Sequence, residues 1–66
     1  MQVFINGEAH TLTAGATIAD LVGRLGLNQR RIAVELNGVI IAREQYGSRG
    51  LADGDRMEIV HFVGGG

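Results

Sequence analysis

Two segments of the chain have the apolar pattern of β-strands. Each of these segments is followed directly by an Asn-Gly pair. Residues 3–5 precede Asn6-Gly7, and residues 32–36 precede Asn37-Gly38. Alternation with a period of two is typical of strands with one buried face, and Asn-Gly favours two-residue hairpin turns that need positive φ. The sequence therefore predicts two hairpins. Their return strands are predicted over residues 8–12 and 39–41.

A helical pattern follows the first hairpin. Thr17 is a predicted N-cap, and Asp20 three residues later forms a short-armed capping box. Gly26 stands where a left-handed C-cap is expected. A helix this short is marginal in isolation, so it must pack against a sheet. The apolar residues that repeat with helical spacing form one stripe: Ile18, Leu21, Val22 and Leu25.

The region between the second hairpin and the last strand is predicted to be irregular. Residues 43–49 are polar and suggest a single tight helical turn around Tyr46. Leu51 is expected to anchor this loop to the core, and residues 53–55 have the composition of a turn. The final strand is predicted over residues 56–63.

The predicted order of elements is β-β-α-β-β-β, an α+β arrangement. A helix with one apolar stripe must cover one face of the sheet. The first and last strands can then pair in parallel at the centre, which gives a β-grasp fold with a domain at residues 1–63 and a flexible glycine tail at 64–66. The predicted core between helix and sheet consists of Ile5, Ile18, Leu21, Leu25, Val34, Leu36, Met57 and Ile59.

Size and composition narrow the classes of function. A chain of 66 residues without cysteine has room for one domain and cannot form disulfides or thiolate metal sites. Its net charge of −1 argues against nucleic acid as a partner, and all six basic residues are arginine. No apolar stretch approaches the length of a membrane helix and no secretion signal is evident, so we expect a cytoplasmic protein.

Catalytic machinery is not evident in the sequence. His10 and His61 lie on different predicted elements, and no metal-ligand spacing or nucleophile–base pair can be identified. We therefore expect no catalytic and no metal-binding residues. The chain ends in Gly64, Gly65 and Gly66, a narrow arm without side chains that could enter another protein's active site. Alternatively, these glycines fray from the last strand or are a cloning remnant.

A docking surface is predicted beside this tail. If Ile5 and Ile59 face the helix, alternation places Phe4, Val60 and Phe62 on the opposite side of the sheet. With the first and last strands adjacent, these residues are expected to form an apolar patch at the base of the tail. Contiguous apolar patches mark interaction sites, whereas scattered apolar surface residues are ordinary.

The β-grasp order and the terminal glycines resemble the ubiquitin-like sulfur carriers, and the motifs of the second half resemble the ThiS family of thiamine biosynthesis; the resemblance spans essentially the whole chain. Residues 33–38 (AVELNG), 43–46 (REQY) and the spaced pattern Leu51-x-x-Gly-Asp-x-x-Glu-Ile-Val over 51–60 carry this resemblance. Two positions differ from the family pattern, because Ala42 stands where proline is frequent and Tyr46 where tryptophan is common. Both lie in the loop and do not affect the tail.

The resemblance implies a carrier that is not itself an enzyme. An adenylating enzyme of the E1-like ThiF type would activate the Gly66 carboxylate with ATP and magnesium. Sulfur-relay proteins would convert it to a thiocarboxylate, and a ThiG-type thiazole synthase would take up the sulfur. No cofactor would be bound to the chain. Three alternatives remain open at this stage: the small subunit of molybdopterin synthase, a ubiquitin-like protein modifier, and an ordinary interaction domain.

Overall fold

The computed structural model describes residues 1–62, which form one five-stranded mixed sheet and one helix. The strands are β1 (Gln2–Ile5), β2 (Glu8–Thr11), β3 (Ile32–Leu36), β4 (Val39–Ile41) and β5 (Arg56–His61), and the helix α1 spans Ile18–Arg24. Their order across the sheet is β2-β1-β5-β3-β4. Only the β1–β5 neighbours within this described part run parallel. The predicted β-β-α-β-β-β order and the parallel central pair are both confirmed.

Both Asn-Gly pairs form the predicted hairpin turns. Asn6 and Gly7 have φ of 49° and 83°, and Asn37 and Gly38 have φ of 50° and 85°. Two consecutive positive φ values define the turn whose twist matches that of a two-stranded ribbon. Asparagine is one of the few residues with a side chain that tolerates this region, which explains its position ahead of glycine.

The two turn asparagines also hold the central strand. The Asn6 amide accepts a hydrogen bond from the Ile59 N–H at 2.9 Å and donates to the Ile59 carbonyl at 3.2 Å. Asn37 accepts from the Arg56 N–H at 2.9 Å and donates to an Asp55 carboxylate oxygen at 3.0 Å. The backbone pairing of β1 with β5 covers only two residue pairs, so the Asn6 side chain extends this ladder where β1 turns away.

The start of α1 is fully capped. The Thr17 N–H donates to the Asp20 carboxylate at 2.9 Å, and the Asp20 N–H donates to the Thr17 hydroxyl at 3.2 Å, which confirms the capping box. The N–H groups of Ile18 and Ala19 donate to carbonyls of the 43–50 loop at 3.2 and 2.8 Å. All four N–H groups that a helix leaves unpaired at its start therefore have partners.

At the end of α1, the prediction that Leu25 belongs to the core is wrong. Leu25 is 36% exposed, because the helix ends at Arg24 and Leu25 is only its C-cap. The chain then reverses at Gly26, where φ is 71°. The Leu27 N–H donates to the Val22 carbonyl at 3.0 Å, and Leu27 packs against the core in place of Leu25.

The core lies between α1 and the inner face of the sheet. Seven of the eight predicted core residues are buried there, and the loop anchor Leu51 is buried as expected. Tyr46 is also buried and follows the predicted tight turn, a 3₁₀ turn over Arg43–Gln45. A second 3₁₀ turn, Gln29–Arg31, was not predicted. The buried residues missing from the predicted core list are Val3, Leu12, Val22, Ile32, Ile41, Tyr46 and Leu51.

Several strand and helix limits differ slightly from those predicted. Strand β2 ends at Thr11, although Leu12 remains buried. Strand β5 ends at His61, and the predicted extension to Val63 lies outside the described residues. The tail predicted over 64–66 also lies outside them. No helix within residues 1–62 is long and apolar enough to cross a membrane.

Candidate docking face and tail base

The last described backbone contact fixes the point from which the chain continues toward the glycines. The Phe62 N–H donates to the Arg31 carbonyl at 2.8 Å, directly after the β5 pair His61–Ile32. We call His61 and Phe62 the tail base. At this end β5 pairs with β3, through His61 opposite Ile32, so the tail base is held against the start of β3. The continuation toward Gly64, Gly65 and Gly66 therefore starts from a fixed point of the sheet.

The three predicted docking residues do not form one cluster. Val60 and Phe62 are 59% and 52% exposed. Phe4 is half-buried, and its register places it beside Arg56, whose guanidinium lies 5.4 Å from the ring centroid. Val60 is four residues further along β5, about 13 Å away at the usual rise of a strand. Val60 and the tail base lie near one end of β5, whereas Phe4 lies near the other.

Other residues surround Val60 instead. Val60 pairs with Ala33 across the β3–β5 ladder, and Glu58 pairs with Glu35. On the far side of β3, Glu35 pairs with Ile40, which is 76% exposed. These five residues line an open groove of about 250 Å³ on the face of the sheet that is turned away from α1. We call this the acidic groove.

Part of the acidic groove could have been found from the sequence. A two-residue turn at Asn37-Gly38 fixes the register of the second hairpin, so Glu35 must lie opposite Ile40. The pairing of Glu35 with Glu58 depends on how β5 aligns with β3, and no turn connects those strands directly. That part of the arrangement needed the structure.

The structure assigns local roles to other polar residues that could have suggested chemistry. Asp55 accepts a hydrogen bond from the Ala52 N–H at 2.7 Å, as expected of a turn-forming carboxylate, whereas Asp53 accepts from the Gln2 N–H at 2.7 Å and so ties the turn to the start of β1. His10 lies 3.4 Å from Glu8 on the edge strand β2, whereas His61 lies on the central strand. Within residues 1–62 no three potential ligand side chains are grouped for a metal ion. The capped start of α1 also leaves no free N–H for a phosphate.

Comparison with known proteins identifies the family. The sequence model of the ThiS family matches residues 3–66, nearly the whole chain and all three terminal glycines. The chain belongs to the ThiS family.

A solved ThiS structure shares the fold throughout. The crystal structure of the thiamine biosynthesis protein ThiS from Geobacter metallireducens superposes with a TM-score of 0.84 at 32% identity, covering 100% of both chains. The predicted β-grasp fold is therefore confirmed. The sulfur carrier protein ThiS of Bacillus subtilis is 48% identical over 50 residues, which cover 76% of each chain.

Another ThiS-like sequence occurs within a much longer protein. A thiazole synthase from Paramagnetospirillum magneticum is 42% identical over 66 residues, which cover 100% of this chain and 20% of that protein. The chain thus spans about one fifth of the length of the thiazole synthases that it matches.

Proposed function

We propose that this member of the ThiS family carries sulfur as a thiocarboxylate on Gly66 and donates it to the thiazole ring of thiamine. The observation that carries the proposal is the family match, which runs through residue 66 and includes Gly64, Gly65 and Gly66. The name of the Bacillus subtilis relative, a sulfur carrier protein, supports the same role. The ThiS assignment favours the thiamine pathway over the small subunit of molybdopterin synthase.

The chemistry suits a terminal glycine. A carboxylate is a poor electrophile, but its mixed anhydride with AMP can be attacked by a sulfur nucleophile. Glycine has no side chain to hinder that attack and no stereocentre to racemise. The carrier would thus supply the reacting carboxylate, and partner enzymes would supply the catalysis.

Three classes of partner follow from this role. An E1-like ThiF-type enzyme would adenylate Gly66 with ATP and magnesium. Sulfur-relay proteins would deliver sulfur derived from cysteine, and a ThiG-type thiazole synthase would accept it from the thiocarboxylate. The match to longer thiazole synthases supports the last partner. We place these steps in the cytoplasm, where ATP is available.

The arrangement at the tail base supports such a role. A partner that grips the outer face near Val60 would hold a domain whose exit point is fixed by the Phe62–Arg31 hydrogen bond. The glycines that follow need no pocket for side chains, so a narrow channel could admit them. The fixed domain would therefore set the direction in which the arm enters.

Intact-mass spectrometry tests the proposal. The purified chain is incubated with a ThiF-type enzyme, ATP, magnesium, cysteine and the sulfur-relay proteins. We expect a mass change equal to the replacement of one oxygen by one sulfur, and no change in a variant lacking Gly65 and Gly66. The Escherichia coli sulfur carrier protein ThiS, 32% identical over the full chain, is a positive control for the reaction mixture. An unchanged mass in a mixture that converts this control would refute the proposal, and a stable bond to another protein would indicate a modifier.

A further inference from the structure

Two carboxylates oppose each other on the outer face of the sheet. Glu35 on β3 and Glu58 on β5 are direct partners in the antiparallel register. Directly opposite residues in such a pair have Cβ atoms about 4.5–5.5 Å apart, and like charges in these positions destabilise the sheet. The arrangement therefore weakens the free domain.

Nothing ionic within residues 1–62 offsets this repulsion. The only contact within 4.0 Å between a basic side chain and a carboxylate among these residues joins His10 and Glu8, and it is ionic only when the imidazole is protonated. Arg56 lies two residues before Glu58 on the same side of β5, but its guanidinium is placed over the Phe4 ring. The opposed carboxylates thus present unneutralised negative charge to solvent.

Apolar side chains border the same position. Ile40 and Val60 are both exposed, and Ala33 lies between them on β3. Together with the carboxylates they form the acidic groove of about 250 Å³. A complementary side chain needs a cationic end and an apolar stem. Arginine has both, with five N–H donors in a planar fork that can bridge two carboxylates.

We propose that the acidic groove receives an arginine side chain of thiazole synthase, an inference that rests on the proposed function. The guanidinium bonds to Glu35 and Glu58, and its aliphatic stem packs against Ile40 and Val60. Charge complementarity of this kind fixes the register of a complex and speeds encounter. Because Val60 adjoins the tail base, the contact orients the domain so that the glycine arm faces the synthase active site.

Thiazole synthase is the partner that the comparisons favour. In the longer relatives a ThiS-like segment shares its chain with a protein named thiazole synthase. The activating enzyme is the alternative occupant that the experiment separates.

The test uses the full chain with both carboxylates neutralised, Glu35→Gln and Glu58→Gln, singly and together. Titration calorimetry measures the Kd for a ThiG-type thiazole synthase, and separately for a ThiF-type activating enzyme, at several salt concentrations. We expect the double variant to bind at least tenfold more weakly and with a flatter salt dependence. Glu44→Gln is the matched control, because it removes the same charge from an exposed position in the Arg43–Gln45 turn, and its Kd stays within twofold of wild type.

Thermal melting of the free carrier provides a second readout. Removing the repulsion leaves the melting temperature of the double variant equal to or above that of wild type, while its binding weakens. A purely structural role would lower stability and binding together. Weaker binding together with an unchanged or higher melting temperature therefore identifies the groove as a binding site for the partner.

Each alternative outcome has a distinct meaning. If wild type binds the synthase and the double variant binds equally well, the groove inference is overturned and the proposed function stands. If only binding to the activating enzyme weakens, the assignment to thiazole synthase is overturned. If wild type forms a thiocarboxylate but does not bind the synthase, the inference and the final step of the proposed function both fail.

Discussion

The Asn6 side chain offers the sharpest test of how β5 is held at the centre of the sheet. Asn6→Gly removes both hydrogen bonds to Ile59, at 2.9 and 3.2 Å, while glycine still accepts the turn's positive φ. These two hydrogen bonds are part-buried, so water replaces the lost partners less readily than at a fully exposed site. With a net value of about 1 kcal/mol for each bond, the free energy of unfolding should fall by about 2 kcal/mol.

That loss is large for a domain of this size. A small single core supplies about 3–5 kcal/mol, so Asn6→Gly removes close to half of the stability. The same loss corresponds to a decrease in Tm of about 10 °C. Urea unfolding followed by circular dichroism should show a lower midpoint with an unchanged m-value.

Asn37→Gly is the matched control. Asn37 has almost the same φ and also makes two hydrogen bonds, but these are exposed and can exchange with water. The two substitutions share the same change in backbone freedom, so the difference between them isolates the contribution of the part-buried Asn6–Ile59 contacts. We expect Asn37→Gly to cost about 1 kcal/mol less. A loss at Asn37 equal to or larger than that at Asn6 would refute this reasoning.

Three further predictions follow from the packing and the exposed face. Leu21→Ala should cost about 2–5 kcal/mol on denaturant melting because Leu21 is buried under the sheet, whereas Leu25→Ala should cost less than about 1 kcal/mol; equal losses would contradict the helix end described here. Thr17→Ala should lower stability by about 1 kcal/mol through loss of the N-cap, and an unchanged midpoint would show that the cap is dispensable. Phe62→Ala should leave folding intact yet weaken binding to the activating enzyme or thiazole synthase by about 1–2 kcal/mol, while Phe4→Ala weakens it less; binding within twofold of wild type for both partners would exclude Phe62 as an anchor.

Local chemistry made much of the fold predictable. The Asn-Gly pairs specify turn type and hairpin register together, and Thr17 with Asp20 specifies the start of α1. The sequence does not define the end of the helix, because Leu25 continues the apolar stripe one residue beyond the last helical residue. Apolar periodicity shows which face of a helix is buried, but it does not determine the residue at which the helix ends.

The candidate site was predictable only in part, for a related reason. Alternation assigns Phe4, Val60 and Phe62 to the same side of the sheet, but it does not say how far apart they lie along the strand direction. Their separation along the strands depends on the β1–β5 register, which is set by long-range packing and by the Asn6 contact to Ile59. The opposed Glu35 and Glu58 were missed because their pairing depends on the equally remote β3–β5 register.

The parallel pairing of β1 and β5 also has a mechanical consequence. The start of β1 and the end of β5 lie at opposite ends of this pair, so tension between Met1 and His61 pulls the two strands past each other. The ladder bonds, from the Phe4 N–H to the Asp55 carbonyl through the Asn6 contacts, then carry the load together. An antiparallel hairpin pulled at its ends would instead open one bond at a time. A partner protein that pulls on the chain beyond His61 therefore acts against a domain in which the β1–β5 ladder bonds must break together before the chain extends.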